Sequence, residues 1–67
     1  MANKLMVQHK FRLNGRYKTP DGKTIKIVAS EVFNLRCFEL DGDGNMIGRM
    51  IKIHPESDTA AKLVALD

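Results

Sequence analysis

Basic side chains recur at even positions through the first part of this 67-residue chain. On an extended strand, alternate residues project from one face at intervals of about 6.6 Å. A strand that then turned back would add cations from its neighbour and from the connecting turn. Guanidinium and ammonium groups so arranged neutralise phosphates or carboxylates. The pattern predicts an anion-binding face on the first hairpin, carried by Lys10, Arg12, Arg16, Lys18, Lys23 and Lys26. The alternative is a solvated outer face whose charges water screens.

The distribution of charge supports the same prediction. The net charge is +3, but residues 1–30 hold seven basic groups and one acid, whereas residues 31–67 carry an excess of acids. Such asymmetry indicates one face that attracts anions. We therefore expect a nucleic acid or an acidic protein surface as the partner, with a host enzyme among the candidates for the latter. The function predicted is that of a small, non-catalytic regulatory or binding module within nucleic-acid machinery.

Single-stranded nucleic acids are bound by faces that interleave exposed aromatic rings with cations. Here Phe11 and Tyr17 have the opposite parity from the basic residues, and Phe33 falls on the predicted core face. Only Phe38 is a candidate for exposure. The stacking pattern is weak, so contact with the phosphate backbone, largely independent of base sequence, is favoured.

An apolar set on the second hairpin supports a hypothesis of a different class. Methionine and aromatic side chains form adaptable surfaces for protein contact. The residues concerned are Phe38, Leu40, Met46 and Met50. On this alternative the chain is a protein-only modulator, similar in size and style to phage-encoded inhibitors or adaptors of host enzymes. The competing explanation, which we favour, is that a C-terminal helix covers this patch.

Neither a metal site nor a cofactor is predicted. His9, His54 and Cys37 form no close pair with metal-ligand spacing, and Cys37 is interpreted as a core residue. The segment 41–45 resembles the start of a calcium loop. However, Met46 stands where that loop needs glycine, and Lys52 stands where it needs glutamate.

Enzymatic activity is not expected either. Ser30 and Ser57 lack the flanking glycines of a nucleophile elbow, and no glycine-rich phosphate loop precedes a helix. So short a chain is also expected to lack a pocket of several hundred cubic ångströms. No catalytic residue is therefore predicted.

Strict alternation and turn chemistry predict a single domain, residues 1–67, that is mainly β with one helix (α+β). The fold expected is a four- or five-stranded antiparallel sheet, or an SH3-like or OB-like small β-barrel, with a short C-terminal helix. The strands are predicted at about 4–18, 24–30, 33–40 and 46–53, and the helix at about 57–66. That helix is expected to dock over the second hairpin.

The turn at Thr19–Gly22 sets the register of the first hairpin. It places Tyr17 opposite Ile25, Arg16 opposite Lys26, and Leu13 opposite Ala29, with Ile25, Ile27 and Ala29 buried. In the second hairpin, Leu40 opposite Met46 would put Phe33 and Leu35 on the core face. Its loop leaves that register open.

The predicted compartment is the cytoplasm. No apolar run approaches 18 residues, no secretory signal is evident, and a lone cysteine favours a reducing environment. No membrane partner is expected, and both a monomer and a homodimer are compatible with the sequence. The signatures of the carbon-storage regulators and of cold-shock proteins are missing, as is any run diagnostic of KOW or Tudor-like barrels.

Overall fold

Five antiparallel strands and one short helix make up residues 11–66, the part of the chain that the computed structural model describes. The elements are β1 (Arg16–Lys18), β2 (Thr24–Ser30), β3 (Leu35–Leu40), β4 (Met46–Ile53), α1 (Asp58–Ala61) and β5 (Val64–Ala65). The strand order is β4-β3-β2-β1-β5. The predicted mainly-β fold is thus confirmed in its open-sheet form. The sheet is not closed into a barrel, because β4 and β5 lie at opposite edges.

The first hairpin has the predicted register. Arg16 pairs with Lys26 and Tyr17 with Ile25. In the turn, the Thr19 amide donates to the Lys23 carbonyl at 2.8 Å, and Gly22 has a φ of +93°. Only glycine adopts that conformation without strain, and this explains why Thr-Pro-Asp-Gly chemistry correctly predicted the turn.

The first strand is much shorter than predicted, because within the described residues it begins at Arg16. The Gly15 amide donates to the Arg12 carbonyl at 3.1 Å, and Asn14 has a φ of +65°. Asparagine tolerates this left-handed conformation, so Asn14-Gly15 forms a turn where alternation predicted a strand. Leu13 is consequently exposed and does not pair with Ala29. Positions 4–10 of the predicted strand lie outside the described residues.

A bulge in β2 changes which side chains are buried. Ile25 and Ile27 are fully buried, as predicted. The pairing with β3 shifts by one residue between Ile27 and Ala29, so Ala29 pairs with Arg36 and is only half-buried. The prediction that Ala29 is buried was therefore wrong. An extra residue on one strand reverses the parity beyond it.

The second hairpin pairs Leu40 with Met46, the register that the sequence analysis considered but left open. Between Cys37 and Glu39 the ladder shifts, and three residues of β4 lie opposite Phe38. Gly48, within this three-residue bulge, has a φ of +76°. The strand nevertheless regains its parity, and Ile53 pairs with Leu35 in the core.

Phe33 does not lie on the core face. The Glu31 amide donates to the Asn34 carbonyl at 2.8 Å, closing a tight turn, so β3 starts at Leu35. Phe33 is 69% exposed in this turn, and its ring lies against that of His54 with centroids 6.5 Å apart. Alternation could not reveal this, because the strand starts two residues after its alternating pattern does.

The predicted C-terminal helix is a single turn. The Ser57 side chain accepts a hydrogen bond from the Ala60 amide at 3.2 Å, so Ser57 is the N-cap. After Ala61 the chain extends into β5, where Ala65 pairs with Tyr17. Ala60 packs in the core, so α1 does not cover the second hairpin's other face. An exposed β-branched Val64 gains more from strand pairing than from extending a helix too short to be stable alone.

Candidate anion-binding face

The face of the sheet that points away from the core carries aligned cations. Arg16 on β1 pairs directly with Lys26 on β2, and Lys18 lies two residues along β1 on the same side. Arg16 and Lys18 are exposed and Lys26 is half-buried. Like charges opposite each other in a ladder destabilise it by a few tenths of a kcal/mol. The sequence predicted this cluster, since it depends only on the first hairpin.

Two further cations on the same face were missed. Arg36 on β3 pairs with Lys52 on β4, and alternation along β3 places Arg36 on the side opposite the buried Leu35 and Cys37. We call the resulting set the basic face: Arg16, Lys18, Lys26, Arg36 and Lys52. Arg36 and Lys52 could not be assigned from sequence, because their orientation depends on a register that the loop at 41–45 did not determine.

The strands contribute no acidic side chain to the basic face. Glu39 is the one acid within the five strands of the described region, and it pairs with Ile25, whose side chain is in the core. It therefore belongs to the opposite face. From the neighbouring loop, the Glu31 carboxylate lies 3.2 Å from the Nε of Arg36 and forms an ion pair with it. The face thus has a strong excess of positive charge.

Phe38 lies within this cationic surface. It pairs with Lys26 across the β2–β3 ladder, and Arg36 precedes it by two residues on the same side of β3. Arg16, Lys26 and Phe38 therefore form one line across three strands. Phe38 is half-buried, so its side chain is not fully enclosed.

The remaining predicted anion-binding residues lie elsewhere. Arg12 is exposed in the turn that precedes β1, where its amide donates to the Tyr17 hydroxyl. Lys23 is exposed at the tip of the first hairpin. Neither belongs to a strand of the basic face, because the strand that was to align Arg12 starts later than predicted. Lys10 lies outside the described residues.

Three residues of the apolar set on the second hairpin, Phe38, Leu40 and Met46, share this same side of the sheet, and Met50 lies in the bulge of β4 without a strand partner in the described register. Leu40 alternates with Phe38 along β3 and pairs with Met46. Leu40 is buried, whereas Met46 and Met50 are 53% and 38% exposed on the edge strand β4. The two surfaces that the sequence offered as rivals are thus adjacent parts of one face. The expectation that the helix covers the apolar part was wrong, since α1 packs in the core.

An open cleft lies at one end of the molecule. It has a volume of about 700 Å³, contrary to the expectation that so small a core would leave no such space. Ile25 and Ile53 contribute to its lining, with Lys23, His54 and Ser57 among the polar residues.

The polar groups of this cleft serve local structure. The Asp21 carboxylate accepts a hydrogen bond from the Thr19 hydroxyl, which lowers the pKa of Asp21. His54 Nδ1 accepts from the Glu56 amide at 3.0 Å. Within residues 11–66, no three His, Cys, Asp or Glu side chains are grouped so that they could hold a metal ion. His9 lies outside this range.

The segment 41–45 and Cys37 have structural explanations. The Asp41 carboxylate accepts hydrogen bonds from the amides of Asp43 and Asn45, both at 2.9 Å, which stabilises the tight loop. Cys37 is fully buried, as predicted, and burial raises the pKa of its thiol to about 11. It is therefore a thiol rather than a reactive thiolate at neutral pH.

A scan against protein-family models and searches of the curated proteins and of the solved structures found no match to this chain. Across the part of the chain that the structure describes, no helix has the length and apolarity needed to cross a membrane. The function is therefore inferred from the residues themselves.

Proposed function

We propose that this chain is a non-catalytic binding module whose basic face contacts the phosphate backbone of a nucleic acid. The observation that carries the proposal is the direct pairing of Arg16 with Lys26, on a face to which the strands contribute no acid. Each such contact releases condensed counterions, which favours association and makes it depend on salt. An anionic partner also offsets the repulsion between the paired cations.

The test is the affinity for a labelled random DNA duplex and for RNA, titrated from low to physiological salt. We expect micromolar dissociation constants at low salt, and a logarithm of affinity that falls linearly with the logarithm of salt concentration. The double variant R16Q/K26Q should weaken binding and reduce the slope of this plot for DNA by about 1.8, since each phosphate contact contributes about 0.9.

A charge-matched control separates this site from bulk charge. K23Q/K62Q removes two exposed cations that lie outside the strands of the basic face, and it should alter the slope by less than R16Q/K26Q does. R16Q/K26Q should melt at the same temperature as the parent or higher, because a like-charge pair has been removed. If that variant unfolds, or if no nucleic acid binds at low salt, the proposed site is wrong. Binding to polyglutamate alone would indicate an acidic protein surface instead.

The second candidate function is a protein-only modulator that uses the apolar part of the same face. The exposure of Met46 and Met50 on the edge strand β4, with α1 packed elsewhere, favours it. An edge strand with unpaired backbone groups is a common site of protein contact. We rank it below nucleic-acid binding, because Leu40, at the centre of the apolar set, is 7% exposed and offers little contact area.

A further inference from the structure

We propose that the nucleic acid bound by the basic face is single-stranded, with a base stacked on Phe38 and its backbone held by Lys26 and Arg36. This inference rests on the proposed function and names the class of nucleic acid. It reverses the expectation drawn from alternation alone, which separated the aromatic residues from the cations.

Phe38 has cations on the neighbouring strand and along its own strand. Phe38 pairs with Lys26, so its backbone lies about 4.8 Å from that of Lys26 and about twice that distance from that of Arg16. Arg36 is about 6.6 Å away along β3 on the same side. An aromatic ring is thus flanked by cations across the sheet and along the strand, the arrangement that single-strand binders use.

Phe38 is half-buried, so its side chain is packed against its neighbours without being fully enclosed. The exposed Met46, which pairs with Leu40, extends the apolar surface towards β4. A nucleobase has apolar faces and polar edges, and the apolar surface at Phe38 and Met46 is suited to contact with a base face.

Single strands and duplexes differ in what they offer to the Phe38 ring. In a duplex the base faces are stacked on one another, so a protein ring cannot stack on them. A single strand exposes its bases, and base–aromatic stacking then adds to phosphate contact. The cations alone suffice to bind a duplex, so duplex binding gives Phe38 no role at this position.

The chain contains no tryptophan, so Phe38→Trp provides a unique fluorescent reporter at the site. The probes are an oligothymidylate of about 12 nucleotides, a length within the known range of single-strand sites, and a duplex of equal length. We expect the tryptophan to be quenched by the single strand and not by the duplex. Ile47→Trp is the matched control. Ile47 is exposed and pairs with Glu39 on the opposite face of the sheet. The fluorescence of a tryptophan placed there should therefore not respond to either probe.

Affinity measurements on Phe38→Leu and Phe38→Ala complete the test. Loss of stacking should weaken single-strand binding by about 5- to 150-fold and change duplex affinity less than twofold. The leucine variant keeps apolar volume, so it gives a result even if the alanine variant fails to fold. Equal affinity for both probes, no quenching in the Phe38→Trp variant, or an equal loss for both probes would overturn the inference while leaving phosphate binding intact. Failure of both probes to bind at low salt would refute the proposed function itself.

Discussion

The Cys37 thiol is fully enclosed by the core, and its raised pKa has a consequence for stability. Burial favours the neutral thiol and raises the pKa to about 11, whereas an exposed thiol in the unfolded chain titrates at about 8.5. As pH rises between these values, the unfolded chain loses its proton first. The free energy of unfolding therefore has its full value below about pH 8.5 and declines towards pH 11.

Cys37→Ala should remove this part of the alkaline decline. The expected difference is at most about 3 kcal/mol between pH 8 and pH 11, from about 1.4 kcal/mol per pKa unit. The measurement is denaturant unfolding of both proteins across that range. Tyr17 and the lysines are present in both proteins, so the comparison isolates the thiol. Parallel pH profiles would show that Cys37 does not contribute to the decline.

Phe38 shows why the role of a single residue depends on its partners in the sheet. Its type and position were visible in the sequence, and it was correctly singled out as an aromatic residue that could be accessible. Its neighbour Lys26 is twelve positions away, on a strand joined to β3 by a turn with no diagnostic chemistry. No local signal relates the two side chains, so the combined surface could not be predicted.

The three-residue bulge in β4 illustrates how the shape of a strand can depend on the backbone conformation of one residue. Gly48 has a φ of +76°, and a Cβ placed there would meet no atom within 4 Å. The effect of Gly48→Ala is therefore conformational rather than steric. We expect a loss of about 1–2 kcal/mol, the cost of the left-handed region for a residue with a side chain.

The control for this prediction is Gly42→Ala. A Cβ at Gly42 also meets nothing within 4 Å, but its φ is not positive. This substitution should change stability by less than about 0.5 kcal/mol. Thermal unfolding of both variants provides the test, with an expected fall of about 4–8 °C per kcal/mol for a domain of this size. Equal melting temperatures would show that a side chain at position 48 causes no strain.

Turns were predictable where two signals agreed. Thr19-Pro20-Asp21-Gly22 combines turn chemistry with alternation on both sides, and its register was correct. The bulge at Val28 and the strand β5 were not predictable. Val28 leaves no compositional mark, whereas Gly48 inside a predicted strand is a signal for a bulge that does not show how many residues the bulge contains. The two residues of β5 become a strand only because they pair with β1.

The whole molecule presents one face on which a basic part adjoins an apolar part. The paired variant M46Q/M50Q separates their contributions without changing the charge. Under the nucleic-acid proposal, duplex affinity should stay within twofold of the parent, because phosphates are held by the cations. The measurement is the same salt titration used for the basic face. A large loss of duplex affinity in a folded variant would show that the methionines, and not the charges alone, make the contact.

The fold class followed from patterning, since alternation and turns alone indicate a small antiparallel sheet. Whether that sheet closes into a barrel depends on its twist and on the length of the helix. No local sequence preference determines either. The assignment of side chains to faces also failed beyond the bulge in β2, as at Ala29. Consequently, the cations of the first hairpin were identified from sequence, whereas Arg36 and Lys52 required the three-dimensional register.

The pairing of Tyr17 with Ala65 has a consequence for the order in which the chain folds. It joins the two ends of the described region, so a long loop must close before it can form, whereas each hairpin needs only a short one. The contacts of β5 therefore form late, after the β2–β3–β4 meander has collapsed. With only two residue pairs, this junction is also where local opening begins, so amide protons of β1 and β5 should exchange with solvent before those of β3.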